Sequence, residues 1–293
     1  MSKLGDMKDA NFPKDDQGRV YHLGIGPGMV ANRIIFVGDT HRAKLLADTI
    51  DGFETISDFT PPRQFRIITG NYKGVKISIV GTLMGYPNTD FCVREIRAVT
   101  EGPLAIIRMG TCGTPHDLVE TGDVVVGRET VGIVRNPDYF RMTDKEREEA
   151  AARPYTITRS LKASPEILEL LEGKTAAIMK GYKGSTLHFG VNASADSFYS
   201  AQGRLDSAFD DKNEVIIDEL MERYPETKAL EMESFTLFDL ADVCKKSKIY
   251  VGCLAIVLAQ RKRGGFLPHA RKVQMVQKIG RAVAETLVEL KME

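Results

Sequence analysis

Short apolar runs rich in isoleucine and valine alternate with segments of helical periodicity along most of the chain. The run Arg33–Val37 and the runs at 104–108 and 249–258 are almost continuously apolar, which is typical of strands buried on both faces of a sheet. Two further runs, 65–69 and 75–80, flank Asn-Tyr-Lys-Gly at 71–74, a combination that predicts a hairpin. Strands are also predicted at about 123–135, 186–191 and 228–230, and helices at about 40–50, 90–101, 141–153, 164–172, 212–224, 234–244 and 268–293.

This order of elements indicates the fold class. Strands that alternate with helices, together with one hairpin, predict an α/β fold with a mixed central sheet. We find no internal repeat and no linker, so residues 19–293 are predicted to form a single domain. Residues 1–18 are polar and are predicted to be a flexible tail.

The composition limits the class of partner. The 293 residues include 40 lysines and arginines and 40 aspartates and glutamates, so the formal net charge is zero. A protein that binds nucleic acid or an acidic membrane normally carries a basic excess, so neither partner is expected. No apolar run approaches the ~20 residues of a membrane span, and the N-terminal residues lack the apolar stretch of a signal peptide. A cytoplasmic protein is therefore expected.

The sequence gives little support for a metal or a bound cofactor. The four cysteines have no Cys-x-x-Cys spacing, and the five histidines are scattered. Gly24, Gly26 and Gly28 lack the spacing of a dinucleotide-binding loop, and Pro27 lies among them. Residues 181–186 (GYKGST) lack the ending of a phosphate-binding P-loop. We expect no metal and no cofactor.

Two arginines lie near the ends of predicted strands, past which the ligands of α/β sheets bind. Gly38 allows the backbone to approach a ligand closely, and Arg42 lies in the first turn of the predicted helix. A helix N-terminus and a cation together favour the binding of an anion. The alternative is a plain strand-to-helix turn. Arg108 ends an apolar strand, where its burial costs free energy unless it meets an anion or a carboxylate. The small residues after it offer backbone N–H groups and the Thr111 hydroxyl; the alternative is a structural ion pair.

Two other segments suit a sugar and a base. Glu231, Met232 and Glu233 lie where a strand meets a helix, and alternation places both carboxylates on one side, where they can accept from ribose hydroxyls. The alternative is a capped helix with Met232 in the core. Residues 198–204 (FYSAQGR) offer ring faces, an amide and a guanidinium, which suit the O2, N3–H and O4 edge of uracil. The alternative is an aromatic loop with surface polar groups.

In order, these motifs resemble the nucleoside phosphorylase-I family. The family pattern is G-D-x-x-R, R-x-F, R-x-G-T-x-G, F-Y-x-x-Q-x-R and E-M-E, and the chain has GDTHR at 38–42, RQF at 63–65, RMGTCG at 108–113, FYSAQGR at 198–204 and EME at 231–233. The resemblance spans Tyr21 to the C-terminus and implies one α/β domain with a partly barrel-like sheet. It is strongest to the members that act on uridine, because Q-x-R is the pyrimidine signature and residues 256–261 lack the acid of the purine enzymes. The implied reaction is reversible phosphorolysis of uridine to uracil and ribose 1-phosphate.

The resemblance also implies a role for each matching residue. The implied phosphate ligands are Gly38, Arg42, Arg108, Thr111 and, from a partner subunit, Arg63. The implied ribose ligands are Met232, Glu233 and, across the same interface, His22, which would reach the ribose 5′-hydroxyl with Tyr21 beside it. The implied uracil pocket consists of Gly113, Phe198, Gln202, Arg204 and Arg261, with Glu231 positioning Gln202 or Arg204. The implied catalytic residues are Arg108, Gln202, Arg204 and Glu233.

Some positions depart from the family pattern. Gln64 and Asn88 replace the glutamate and the serine that belong to a monovalent-cation site at the dimer interface of bacterial members, so that cation is not expected here. Residues 136–160 have no clear match, and 262–265 are a candidate lid with two glycines. The implied partner is a second copy of the chain, in a dimer with shared active sites or in a hexamer. The alternatives are a purine-directed phosphorylase or a nucleosidase of the same fold, and a non-catalytic nucleoside-binding homologue.

Overall fold

In a computed structural model of the protein, residues 5–293 are described. Eleven strands of these residues form one sheet. They are β1 (Arg33–Val37), β2 (Phe53–Phe59), β3 (Ile67–Tyr72), β4 (Val75–Gly81), β5 (Leu104–Thr114), β6 (Val124–Arg135), β7 (Tyr155–Ile157), β8 (Leu161–Lys162), β9 (Leu187–Ala195), β10 (Thr227–Glu231) and β11 (Ile249–Gln260).

Seven α-helices connect the strands within the same described range. They are α1 (Thr40–Thr49), α2 (Tyr86–Val99), α3 (Asp144–Glu149), α4 (Pro165–Met179), α5 (Ile216–Arg223), α6 (Ser234–Asp242) and α7 (His269–Glu289). No helix among residues 5–293 is long and apolar enough to cross a membrane.

The sheet is mixed and partly closed on itself. Its order is β10-β9-β6-β11-β5-β1-β4-β3-β2, and β7 and β8 pair with β6. The strands β4, β1, β5 and β11 run parallel, whereas β2, β3 and β4 form an antiparallel meander. The strand β10 also pairs with β5, at Leu230 and Gly113, so that β5, β11, β6, β9 and β10 form a ring. The mixed sheet within a single α/β domain confirms the predicted fold class.

Helices cover both faces of the sheet because each presents an apolar stripe to it. Leu46 of α1, Leu171 of α4 and Ile279 of α7 belong to one buried cluster. Ile96 of α2 and Phe238 of α6 belong to a second cluster on the other face. The parallel strands between these layers are therefore buried on both sides, as their continuous apolar runs predict.

Several element boundaries differ from the prediction. The strand β5 does not end at Arg108 but continues through the small residues to Thr114. The strand β2 was not predicted, because most of its residues are exposed at the edge of the sheet and the segment reads as polar. The predicted helix at 141–153 shortens to α3 after a 3-10 turn, Tyr139–Arg141, and the predicted helix at 164–172 extends to Met179.

Part of the expected tail has a defined conformation. Residues 1–4 of that segment lie outside the described residues, but Asp15 is only 5% exposed. Its carboxylate accepts hydrogen bonds from the backbone N–H groups of Gly5, Gln17 and Arg19 and from the Arg19 side chain. The Lys14 ammonium donates to the carbonyl of Ala98 at the end of α2, 3.2 Å away. These contacts tie the segment from Gly5 onward to the domain.

Candidate active site

A single cleft collects residues from four of the five sequence motifs, all except RQF at 63–65. It lies where β1 and β10 end and beside the last residues of β5 and β11. Its lining comprises Gly38, Asp39, Arg42, Met84, Arg108, Thr111, Cys112, Gly113, Phe198, Gln202, Arg204, Leu230, Glu231, Met232, Glu233, Leu258, Ala259 and Phe266. The position agrees with the rule that ligands of such sheets bind past the carboxyl ends of strands.

One end of the cleft is built around Arg42 in the first turn of α1. Asp39 caps this helix by accepting from the Arg42 N–H at 2.6 Å, and its second oxygen contacts Arg42 Nη2 at 3.0 Å. Burial lowers the pKa of Arg42, Asp39 opposes this, and the positive charge of Arg108 lowers it further. The turn is therefore capped by Asp39, as the plain alternative predicts, and it also places two guanidinium groups close together.

The side chain of Arg108 is buried between two carboxylates. Its Nη2 forms an ion pair with Glu233, and its Nε lies 3.2 Å from Oε2 of Glu231. The structural ion pair that the sequence left open is thus formed, but it is formed inside the cleft. A Cβ at Gly110 would lie 1.6 Å from Arg108 Nη1, so only glycine leaves room for this guanidinium.

The residues after Arg108 continue the strand β5 instead of forming a loop. Gly110, Thr111, Cys112 and Gly113 belong to β5 and pair with β11. Pairing with β11 engages one edge of this segment, whereas its pairing with β1 ends at Arg108, so the expectation that the other edge offers backbone N–H groups to an anion stays a prediction. Thr111 nevertheless lines the cleft, half-buried within an otherwise buried stretch of strand.

The two glutamates of the EME motif face the same guanidinium, as their alternation predicts. Glu233 also accepts from the Gly85 N–H at 2.7 Å, so its carboxylate is fixed from two sides. Met232 is half-buried and lines the cleft, which rules out the alternative of a core methionine.

The role implied for Glu231 needs correction. Its carboxylate accepts from the Ser194 hydroxyl and from the N–H groups of Glu233 and Ser234, at 3.0 and 3.1 Å for the two N–H groups. No hydrogen bond of the described residues joins it to Gln202 or Arg204. The start of α6 and Arg108 already occupy these oxygens, so Glu231 fixes Arg108 rather than Gln202 or Arg204.

The other end of the cleft combines an amide, a guanidinium group and a ring. Gln202 is 2% exposed, and no hydrogen bond among residues 5–293 holds its side-chain amide. The Arg204 guanidinium lies over the Phe198 ring, 4.0 Å from its centre, and Nε donates to the Phe198 carbonyl at 3.1 Å. Neither Arg204 nor Arg261 has a carboxylate partner in the described part of the chain.

Arg261 lies behind the wall of the cleft rather than in it. Its side chain covers Gly113, where an added Cβ would lie 3.3 Å from Cγ and Cδ of Arg261. Burial lowers the pKa of Arg261 to about 10, and the nearby charge of Arg204 adds to the shift. This end of the cleft is therefore electropositive and uncompensated.

Arg63, Tyr21 and His22 form a separate cluster outside the cleft. Arg63 lies over the Tyr21 ring at 4.6 Å and donates to its hydroxyl at 2.7 Å. The Tyr21 and His22 rings meet edge to face, with centres 5.0 Å apart. The structure thus brings together the residues that were expected to act across a subunit interface, and it keeps them away from the cleft of their own chain.

Other lining residues were not predicted. Met84 follows Leu83, whose φ is +60°, and no sequence signal marks either residue. Phe266 directly follows the candidate lid at 262–265, which is tied to the loop before β6 by the ion pair of Lys262 with Asp117 at 3.0 Å. Cys112, Leu230, Leu258 and Ala259 line the cleft from within β5, β10 and β11, where the apolar pattern indicates only burial.

The chain is similar to known phosphorylases over nearly its whole length. A family model described as the phosphorylase superfamily matches residues 32–290. A uridine phosphorylase of Thermococcus kodakarensis is 30% identical over 260 residues, which are 88% of this chain and 83% of that protein. A solved structure from a study of two uridine phosphorylases of the oomycete Phytophthora capsici superposes with a TM-score of 0.88 at 36% identity, covering 98% of this chain and 100% of that one. A DeoD-type purine nucleoside phosphorylase of Shewanella loihica is 31% identical over 61% of this chain and 67% of its own length.

Proposed function

The chain belongs to the phosphorylase superfamily, and on that premise we propose that it is a uridine phosphorylase. It would convert uridine and phosphate into uracil and ribose 1-phosphate, and the reverse. One observation carries the choice of base. The Gln202 amide and the Arg204 guanidinium lie at one end of the cleft, and no described carboxylate pairs with either of them. Two other arginines, Arg42 and Arg108, lie at the opposite end.

Phosphate is the co-substrate, and the reaction needs no further cofactor. Arg42, Arg108, Thr111 and the backbone at Gly38 would hold it below the sugar. Guanidinium groups stay charged at neutral pH, so they orient and neutralise phosphate but transfer no proton. Phosphate would attack C1′ from the face opposite the base, and the configuration at C1′ inverts.

Ribose would lie between the two ends of the cleft, over Met232 and against Glu233. A carboxylate accepts hydrogen bonds only, so Glu233 suits the ribose hydroxyls. The contacts of Glu233 with the Gly85 N–H and with Arg108 fix its position before the substrate arrives. Such preorganisation is what positioning contributes to a two-substrate reaction.

Uracil would stack near Phe198 and pair with Gln202 and Arg204. Negative charge builds on the uracil ring as the glycosidic bond breaks. An amide N–H, the Arg204 guanidinium and the nearby charge of Arg261 would meet that charge, and neither arginine forms an ion pair with a described carboxylate. Preorganised donors of this kind supply much of the stabilisation of a transition state.

The active unit would be a dimer in which each subunit completes the other's site. Within one subunit, the arginines Arg42 and Arg108 face three carboxylates, Asp39, Glu231 and Glu233. The positive excess that a phosphate dianion needs must therefore come from another group. The exposed Arg63 of a partner subunit would supply it, and the partner's exposed face carries His22 beside it.

The reaction class is tested by measuring uracil release from uridine with and without phosphate. We expect cleavage only with phosphate, and no phosphorolysis of inosine or adenosine. Cleavage in the absence of phosphate would identify a nucleosidase, preferential cleavage of inosine would identify a purine enzyme, and binding of uridine without turnover would identify a non-catalytic homologue.

A further inference from the structure

Outside the cleft, a buried carboxylate on α2 lies against His22, and the proposed chemistry described above gives it no role. Glu95 lies on α2 and is 6% exposed. No lysine or arginine pairs with it among the described ion pairs. It accepts from the backbone N–H groups of His22 and Leu23, at 3.0 and 2.8 Å, and lies 2.7 Å from Nδ1 of His22.

These contacts fix the hydrogen-bonding character of His22. A carboxylate accepts hydrogen bonds only, so the proton of a neutral His22 ring lies on Nδ1 and the lone pair on Nε2. Phe91, one turn before Glu95 on α2, stacks on the same ring with centres 3.9 Å apart and planes 8° apart. The ring is therefore held in one plane and in one tautomer, with Nε2 as an acceptor.

Resting on the proposed function, we infer that Glu95 is a positioning residue that makes His22 an acceptor for the 5′-hydroxyl of a nucleoside in the partner's cleft. A 5′-hydroxyl donates to such a nitrogen, and a 5′-deoxy sugar has no donor there. A 5′-phosphate at neutral pH also lacks this donor and brings negative charge toward Glu95. Glu95 would thus select free nucleosides without touching the substrate.

The test compares uridine with 5′-deoxyuridine, which differs only at the group in question. For the unmodified protein we expect kcat/KM to favour uridine by about tenfold, the value of one hydrogen bond. Glu95→Gln places an N–H where an acceptor is needed, so this preference should fall below about threefold through loss on uridine alone. The double variant Glu95→Gln/His22→Ala should keep whatever preference for uridine over 5′-deoxyuridine remains in His22→Ala. Glu101→Gln, an exposed glutamate beyond the same helix, should keep the full preference.

Two outcomes would overturn the inference while uridine phosphorolysis stands: an undiminished preference for uridine in Glu95→Gln, or an equal loss on both substrates, which indicates a purely structural role.

A second measurement does not depend on activity. In protein labelled with ¹⁵N-histidine, the nitrogen shifts of His22, assigned through His22→Ala, should report a proton on Nδ1, and Glu95→Gln should change the tautomer population. A proton on Nε2 in the unmodified protein would overturn the inference. Failure of the unmodified protein to cleave uridine would instead reject the proposed function.

Discussion

Arg108 and Glu233 lie 125 positions apart in the chain and form a buried ion pair inside the cleft. The same guanidinium also contacts Glu231, which holds the start of α6. Arg108 therefore has two roles that a substitution would remove together: it supplies positive charge to the proposed phosphate site, and it is the cation that two buried carboxylates share. Arg42 differs, because its partner Asp39 is partly exposed.

The two arginines should consequently respond differently to truncation. Arg108→Ala leaves two buried carboxylates without their shared cation, which should cost about 3–5 kcal/mol of stability as well as activity. Arg42→Ala should raise the KM for phosphate at least about tenfold, the effect of one charge-assisted contact, and leave the urea midpoint nearly unchanged. Arg94→Ala, which removes an exposed helical partner of Asp90, is the matched control. An unaltered phosphate KM in Arg42→Ala would contradict the assignment of this end of the cleft.

Gly110 gives a test that leaves every charged group in place. A Cβ added at Gly110 would lie 1.6 Å from the Arg108 guanidinium. Gly110→Ala should therefore displace Arg108 and lower kcat/KM for phosphate by about two orders of magnitude. Gly173→Ala on α4 is the control, since nothing lies within 4 Å of its new methyl group. That substitution should be neutral or stabilising by about 0.5–1 kcal/mol in thermal unfolding. Full activity in Gly110→Ala would show that Arg108 need not occupy this position.

Arg204 should matter for turnover far more than for folding. Within residues 5–293 its guanidinium is held by the Phe198 ring and carbonyl alone, so Arg204→Ala should leave the unfolding midpoint close to that of the unmodified protein. Loss of one preorganised donor should lower kcat on uridine by about 10²–10³. Arg204→Lys keeps the charge but loses the planar stack, and should recover only part of the rate. A kcat within about twofold of the unmodified value for Arg204→Ala would place the base pocket elsewhere.

Much of the fold was predictable because the parallel strands are buried on both faces and their apolar runs are continuous. The end of β5 was not predictable in the same way. Gly110, Thr111 and Gly113 are small residues that usually indicate a loop, but here they pair with β11, and Gly113 also pairs with β10. The edge strand β2 was not predicted because most of its residues are exposed, and a strand with little burial shows no apolar pattern.

Asp15 supplies a prediction about pH. Burial raises its pKa, but the hydrogen bonds from Arg19, Gly5 and Gln17 outweigh this and hold the pKa well below the usual value of 3.8. A depressed pKa in the folded state contributes stability that is fully present above the unfolded value and is lost as the pH falls below it. Asp15→Asn should therefore be less stable than the unmodified protein at pH 7, and the difference should shrink below about pH 4. Urea unfolding at a series of pH values measures this, and a pH-independent difference would contradict it.

The sequence identified most residues of the candidate site but not all of their contacts. Strand ends meet at one edge of a sheet, so the convergence of Arg42, Arg108 and Glu233 follows from topology. The partner of Glu231 could not be derived in that way. Its contact with Arg108 rather than with Arg204 depends on side-chain directions that are set by the pairing of β10 with both β9 and β5.

The pairing of Leu230 with Gly113 also bears on how the chain acquires activity during synthesis. A nascent chain that has reached only residue 200 already contains β5 and Arg108, but neither β10, which closes the ring, nor the glutamates that surround the arginine. Pairings between such distant positions form slowly, because a long loop must close before any contact compensates for it. Turnover would therefore appear only once almost the entire polypeptide has left the ribosome and β10 has closed the ring against β5. The first appearance of turnover would mark the last step of folding.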